Sequence, residues 1–132
     1  MNEGERVYLE SRGDIAWISL ARPPVNAIDH AMIDALHVAL KQADADPQFR
    51  AIVLTSAIEG IFCGGMDLRM VDAGDAEDLR AFVHKFYIGT MDIHYALSKP
   101  LIAALNGRAR GAGMTLAINC DVAVAAEDID FG

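Results

Sequence analysis

Two short glycine-rich segments hold the residue types and spacings that can do chemistry in this 132-residue sequence. The first is Cys63-Gly64-Gly65-Met66-Asp67-Leu68, and the second is Asn106-Gly107-Arg108-Ala109-Arg110-Gly111-Ala112-Gly113. Glycine lets a backbone turn sharply and approach a ligand closely. Each segment follows an apolar strand-like run and leads into a helical pattern. The first N–H groups of a helix lack an internal partner and sit at the positive end of its dipole. Either segment can therefore hold an anion, and one N–H from each, aimed at a single oxygen, would form an oxyanion hole. Glycines at such junctions also serve tight turns and close helix packing. One segment alone does not separate these readings.

Other chemistries fail on detail. No glycine is followed by lysine, so no G-x-x-x-x-G-K-[ST] phosphate loop exists, and Gly107, Gly111 and Gly113 do not have the dinucleotide spacing. Cys63 and Cys120 stand apart, without the paired spacing of a zinc site, and read as reduced cysteines packed like small hydrophobes. His30, His37, His84 and His94 fall on helical segments away from both loops. There is no G-x-S-x-G and no Ser-His-Asp or Cys-His arrangement.

The elements that would position the loops are legible in the hydrophobic pattern. Residues 7–10 and 15–20 read as strands joined by a hairpin turn at Ser11-Arg12-Gly13-Asp14. Arg22-Pro23-Pro24 stops that sheet. Asp29 is an N-cap for a helix to about Asp44, with Ile33, Leu36, Leu40 and Ala43 on one face. Residues 51–55 form a continuous apolar run, the mark of a strand covered on both faces. A loop over 59–65 and a short helix over 67–71 follow. Residues 75–97 carry the longest helical pattern, ended by Pro100. Residues 101–105 are a second buried strand, Asn106-Gly107 a turn, 111–119 a buried helix and 122–125 a third apolar strand. Strands alternating with helices predict an α/β chain with largely parallel strands.

Composition narrows the function class. Eleven Lys and Arg against nineteen Asp and Glu leave a formal charge of −8, and no basic run could displace counterions from a nucleic-acid backbone. At 53% hydrophobic the chain can bury a core. No apolar run approaches the roughly 20 residues of a membrane span. The polar, acidic start is unlike a signal peptide, so a cytoplasmic protein is expected.

Several segments together resemble the enoyl-CoA hydratase/isomerase (crotonase) family. Arg22-Pro23-Pro24-Val25-Asn26-Ala27-Ile28 is similar to the stretch before that family's first helix, and Phe62 to Leu68 to its first oxyanion-hole loop. Ser98 to Gly107, continuing through Gly111-Ala112-Gly113 to Ala125, is similar to the second loop and its flanking strands. Glu127-Asp128 and Phe131-Gly132 continue the pattern. The resemblance implies a crotonase-like spiral of ββα units that binds acyl-CoA thioesters. Residues 1–132 would be a single partial domain, the N-terminal part of that core, ending before a C-terminal helical region. The thioester oxygen would be held by the backbone N–H groups of Met66 and Ala112. Arg22 and the backbone of Val25 and Ala27 would lie near the CoA nucleotide, and Arg69 could pair with a phosphate. By the same resemblance Gly64, Gly65, Asp67, Leu68 and Gly111 would belong to the same binding surface. Arg22 and Arg69 read equally as solvated charges, Asp67 as a helix cap, and Phe86 and Met91 as core residues. No cofactor or metal is implied, because the CoA thioester is the substrate. The implied assembly is a homotrimer, often paired into a hexamer.

The sequence departs from the family at one position. Thr115 stands where hydratases of the family carry a glutamate that activates water. A threonine hydroxyl does not titrate near neutrality, so it cannot act as a general base. The family's second glutamate would fall after Gly132. These departures favour isomerase-like chemistry over hydration, with a non-catalytic acyl-CoA binder as the alternative.

Overall fold

The computed structural model describes residues 6–132. Residues 1–5, on which the signal-peptide reading rested, lie outside the described residues. In chain order the elements are β1 (Val7–Arg12), β2 (Ile15–Leu20), α1 (His30–Ala45), β3 (Ala51–Ser56), β4 (Gly60–Cys63) and α2 (Leu68–Ala73). They continue with α3 (Ala76–Val83), a π-helical turn (His84–Gly89), α4 (Thr90–Ala96), β5 (Leu101–Leu105), β6 (Gly107–Ala109), α5 (Ala112–Ile118) and β7 (Val122–Ala125).

β1 and β2 form the expected antiparallel hairpin, turned at Gly13 with φ 63°. β3, β5 and β7 then add in parallel, giving the order β1-β2-β3-β5-β7. Parallel neighbours need long connections, and each connection here carries helix. The register lines up one apolar face: Ala16 beside Ile52 beside Leu101, and Ile18 beside Leu54 beside Ala103. All six side chains are buried, and Met32, Ile33, Leu36 and Leu40 of α1 close over them. Val53, on the opposite face of β3, is also buried, as its unbroken apolar run predicted.

Within the loop expected over 59–65 residues 60–63 form a short strand, and the turn expected at Asn106-Gly107 gives way to another at Gly107. β4 and β6 pair in parallel as a separate two-stranded sheet. They show no hydrophobic alternation because the consecutive Phe62 and Cys63 of β4 are both buried and β6 is only three residues long. A Cβ on Gly107 would fall on the Gly60 backbone. Each return of the chain thus lays down a strand in the large sheet, a strand in the small one, then helix. β3-β4-α2 is one such unit and β5-β6-α5 the next. β7 opens a third, since Phe131 bridges to Ala109 of β6.

The helix expected over 75–97 is continuous but not uniform. Asp75 and Asp78 form a reciprocal capping box at its start. Phe82, Phe86 and Thr90 are all buried at four-residue spacing. At about 3.6 residues per turn that spacing drifts around the helix. The wider π-helical turn between Phe82 and Thr90 offsets the drift, so Thr90 meets His37 of α1 at 2.9 Å.

Leu54→Ala should therefore lower stability by about 2–5 kcal/mol, whereas Val38→Ala, on the exposed face of α1, should change it by less than about 0.5 kcal/mol. Urea unfolding midpoints of the two variants check this contrast.

Candidate functional site

The first glycine loop is held by backbone bonds to the segment before α1. Gly64 N–H donates to the Val25 carbonyl at 2.7 Å, and the Ile28 N–H donates to the Gly65 carbonyl at 2.8 Å. The Asp67 N–H in turn donates to the Ile28 carbonyl at 2.9 Å. Met66 lies between these two bonds, in a parallel bridge with Ile28. In extended backbone, successive N–H groups point to opposite edges. The Met66 N–H therefore faces away from Ile28. Gly65 makes the bend with φ 108°, which L side chains rarely adopt.

The second loop docks against the first. Arg110 N–H donates to the Cys63 carbonyl at 3.0 Å, and Gly111 N–H to the Gly132 carbonyl at 2.9 Å. Gly111, at φ 51°, turns the chain into α5, whose first residue is Ala112. A Cβ on Gly113 would strike the Cys63 carbonyl, so α5 packs on β4 at backbone distance. A Cβ on Gly65 would lie 3.0 Å from the Arg110 carbonyl oxygen and 3.7 Å from the Ala112 nitrogen. The two loops are thus in contact. Among the described residues, neither the Met66 nor the Ala112 N–H donates a backbone hydrogen bond.

The charged residues expected nearby behave differently from one another. Arg22 is largely enclosed: its Nη1 donates to the Ala27 carbonyl at 2.8 Å and lies 2.9 Å from Asp67 Oδ2, while Nη2 lies 3.3 Å from Asp29 Oδ2. Asp67 caps α2, with Oδ1 accepting from the Arg69 N–H at 3.0 Å. Asp29 caps α1, accepting from the Met32 N–H at 2.9 Å. Arg69 has its side chain 87% exposed and only a long 3.6 Å approach to Asp67. Leu68 is exposed, Val25 partly so, and Met66 and Met70 pack half-buried against the core. Phe86 is a core residue, stacked on Phe82. The Thr115 hydroxyl donates back to the Gly111 carbonyl at 3.3 Å.

Burial opposes ionisation of Asp67, but the Arg22 hydrogen bond, the Arg69 N–H and the charges of both arginines outweigh it. Its carboxyl is held below the usual range. Burial pushes the Cys63 thiol up to about 11, and burial followed by the charge of Asp121 pushes Cys120 up to about 12. Both stay protonated at neutral pH and are poor nucleophiles. Asp121, just before β7, accepts from the Leu101 N–H at 2.8 Å and faces His94 at 3.0 Å.

One site residue was given no role in the sequence reading. Asn26 is fully buried at φ 55°. Its Nδ2 donates to Ser56 Oγ and to the Phe62 carbonyl, both at 2.8 Å, and its Oδ1 accepts from the Arg22 N–H at 2.7 Å. The Cys63 thiol donates to the Asn26 carbonyl at 3.2 Å. The available signal was an Asn two residues past Pro23-Pro24, since Asn tolerates positive φ better than most residues.

Gly113→Ala should destabilise the protein by about 1–3 kcal/mol, because the new methyl must push α5 off β4; thermal melting beside wild type reads the loss. Asp67, with a depressed folded pKa, should stabilise fully above the ordinary carboxylate range, near 3.9. That contribution should vanish as the pH falls through the depressed value. Asp67→Asn should therefore flatten the acid limb of stability against pH, as measured by urea unfolding across the acid range.

The sequence and the fold both have known relatives. A family model described as enoyl-CoA hydratase/isomerase matches residues 10–132. Over 127 residues the chain is 37% identical to a carnitinyl-CoA dehydratase of Salmonella enteritidis and 33% identical to one of Proteus mirabilis. Each match covers 96% of this chain and 48% of the relative, so the chain spans about half the length of these relatives. A crystal structure of an enoyl-CoA hydratase from Bacillus anthracis superposes with a TM-score of 0.90 at 32% identity. It covers 97% of this chain and 50% of its own. The ββα spiral is therefore the crotonase fold that the family resemblance implied. The family match runs through both glycine loops, and the chain accordingly belongs to the enoyl-CoA hydratase/isomerase family.

Proposed function

We propose that this protein binds an acyl-CoA thioester and stabilises an enolate-like intermediate between the Met66 and Ala112 N–H groups. The supporting observation is that, among the described residues, these two N–H groups have no backbone acceptor and lie on loops that touch. A thioester oxygen placed between them gains negative charge as the α-proton leaves. Fixed donors stabilise that charge more than the neutral carbonyl. Names of similar proteins, carnitinyl-CoA dehydratase and enoyl-CoA hydratase, support a CoA thioester as the substrate class. The donors belong to the main chain, so the exposed Leu68 and half-buried Met66 side chains are left to border the acyl group.

Proton transfer needs a group that these loops do not supply. Asp67 is committed to Arg22 and to its cap, both thiols are held protonated, and Thr115 has no titration near neutrality. We assign the acid/base role to a carboxylate beyond Gly132, where the family resemblance puts the second glutamate. A single such group suits isomerisation, where one base removes a proton and returns it to another carbon. It suits hydration less well. The same reading carries trimeric or hexameric assembly, a cytoplasmic setting and no cofactor beyond the substrate.

A second reading, an acyl-CoA binder without turnover, is favoured by Thr115 at the position of the family's water-activating glutamate. Assays of the intact protein with 2-enoyl-CoA and 3-enoyl-CoA separate the two. Isomerisation of the 3-enoyl substrate supports the first, binding without turnover supports the second, and absence of binding overturns both. Ala112→Pro removes one donor at a first helical position, where proline is tolerated. It should lower kcat about 10²–10³-fold while circular dichroism stays native.

A further inference from the structure

Arg22 is surrounded in a way that a phosphate-binding arginine is not. Its guanidinium meets Asp67 and Asp29 at 2.9 and 3.3 Å, and donates to the Ala27 carbonyl at 2.8 Å. A second arginine, Arg6, shares Asp29 at 3.0 Å. Two carboxylates so close repel an incoming phosphate and already use the planar donor fork. Arg22 also belongs to the loop scaffold through its own N–H, which donates to the buried Asn26.

Arg22 reaches the first loop at its critical end. Asp67 directly follows Met66, and its N–H makes one of the two bonds that turn the Met66 N–H away from Ile28. With Oδ1 on the Arg69 N–H and Oδ2 on Arg22, the Asp67 carboxylate is held from two directions. Asp29, the N-cap of α1, is tied to the same guanidinium. The start of α1 and the start of α2 are therefore fixed relative to each other across one side chain. Any tilt of α2 would swing Asp67 and with it the preceding peptide.

We infer that Arg22 is a positioning residue, which acts through Asp67 to aim the Met66 N–H, and is not a contact to the CoA phosphates. This rests on the reading of Met66 as a donor to the thioester oxygen. Donor aim matters chiefly when charge has built up on that oxygen, so loss of Arg22 falls on kcat and not on KM. The nucleotide half of the substrate plays no part in the effect.

The test compares Arg22→Gln, Arg22→Lys, Asp67→Asn and the Arg22→Gln/Asp67→Asn double variant in the intact protein. Each is assayed with an enoyl-CoA and with the matching enoyl-pantetheine, which lacks the nucleotide and its phosphates. Arg22→Gln should lower kcat by about ten- to a hundredfold on both substrates. Asp67→Asn should do the same, and the double variant should lose no more than either single one. A loss confined to KM and to the CoA substrate, or losses that multiply, would overturn the inference. Arg22→Lys keeps the charge and covers the case in which Arg22→Gln does not fold; it too should lose kcat on both substrates.

Amide exchange in the ligand-free protein provides a readout that needs no turnover. The Ile28 and Asp67 N–H groups should exchange about tenfold faster in the Arg22 variants. Unchanged exchange at both would overturn the inference. A wild-type protein that neither binds nor converts an acyl-CoA would sink the reading of the site, while exchange would still decide the role of Arg22.

Discussion

The close backbone contact between β4 and the chain after β5 is the constraint on which the rest depends. Gly107 lies on the Gly60 backbone, and Gly113 lies on the Cys63 carbonyl. No side chain separates the strands at either point, so β4, β6 and α5 form one block. A single Cβ would wedge them apart. The two glycine loops leave the same end of the parallel β4–β6 pair and are brought into contact by it. Flexible loops could not hold two N–H groups at a set separation, because each would need to be ordered afresh on binding. Here the ordering accompanies folding. The large sheet contributes by fixing where β3 and β5 end, through the register of Ile52 with Leu101 and Leu54 with Ala103.

Polar side chains then adjust what the backbone block supports. Asn26 is buried without an unmet hydrogen-bonding group and joins the turn after β2, the end of β3 and the end of β4. An apolar residue there would leave the Phe62 carbonyl and the Arg22 N–H without these partners. Buried polar groups without partners are costly, so such a network favours one loop arrangement over its alternatives. The chain's net charge of −8 has little bearing on the site. What matters is local: Asp29 and Asp67 hold Arg22, and Arg69 remains exposed beside the first loop.

The legible part of the fold was the part made by side chains. α1 declared itself by its apolar face and its Asp29 cap, β3 by its unbroken apolar run, and the β1–β2 hairpin by Gly13. β4 and β6 were missed because they are four and three residues long, each opens on a glycine, and the pairing rests on a close main-chain approach that the sequence does not display. The π-helical turn was missed for a related reason. Phe82, Phe86 and Thr90 at four-residue spacing are compatible with an ordinary helix, and only contact with α1 demands the wider turn. At the site, the loops were found from their glycines. The enclosure of Arg22 by Asp29 and Asp67 was not, since their separation in sequence hides a contact that depends on how α1 and α2 are placed.

Main-chain donors and side-chain acids impose different demands on a fold. An N–H pair depends on backbone position alone, so it tolerates changes at side chains such as Ala112, provided the φ angles at Gly65 and Gly111 persist. An acid/base group depends on identity and pKa at one position, and a single substitution removes it. Thr115 shows the consequence: the backbone of α5 is kept, while its hydroxyl turns back to Gly111 and offers no titrating group. A scaffold of this kind can lose or exchange its proton-transfer group without losing its ability to polarise a carbonyl. In this chain glycine contacts and strand pairing bring the Met66 and Ala112 loops together, and on the proposed reading the identity of the reaction is left to a carboxylate outside those loops.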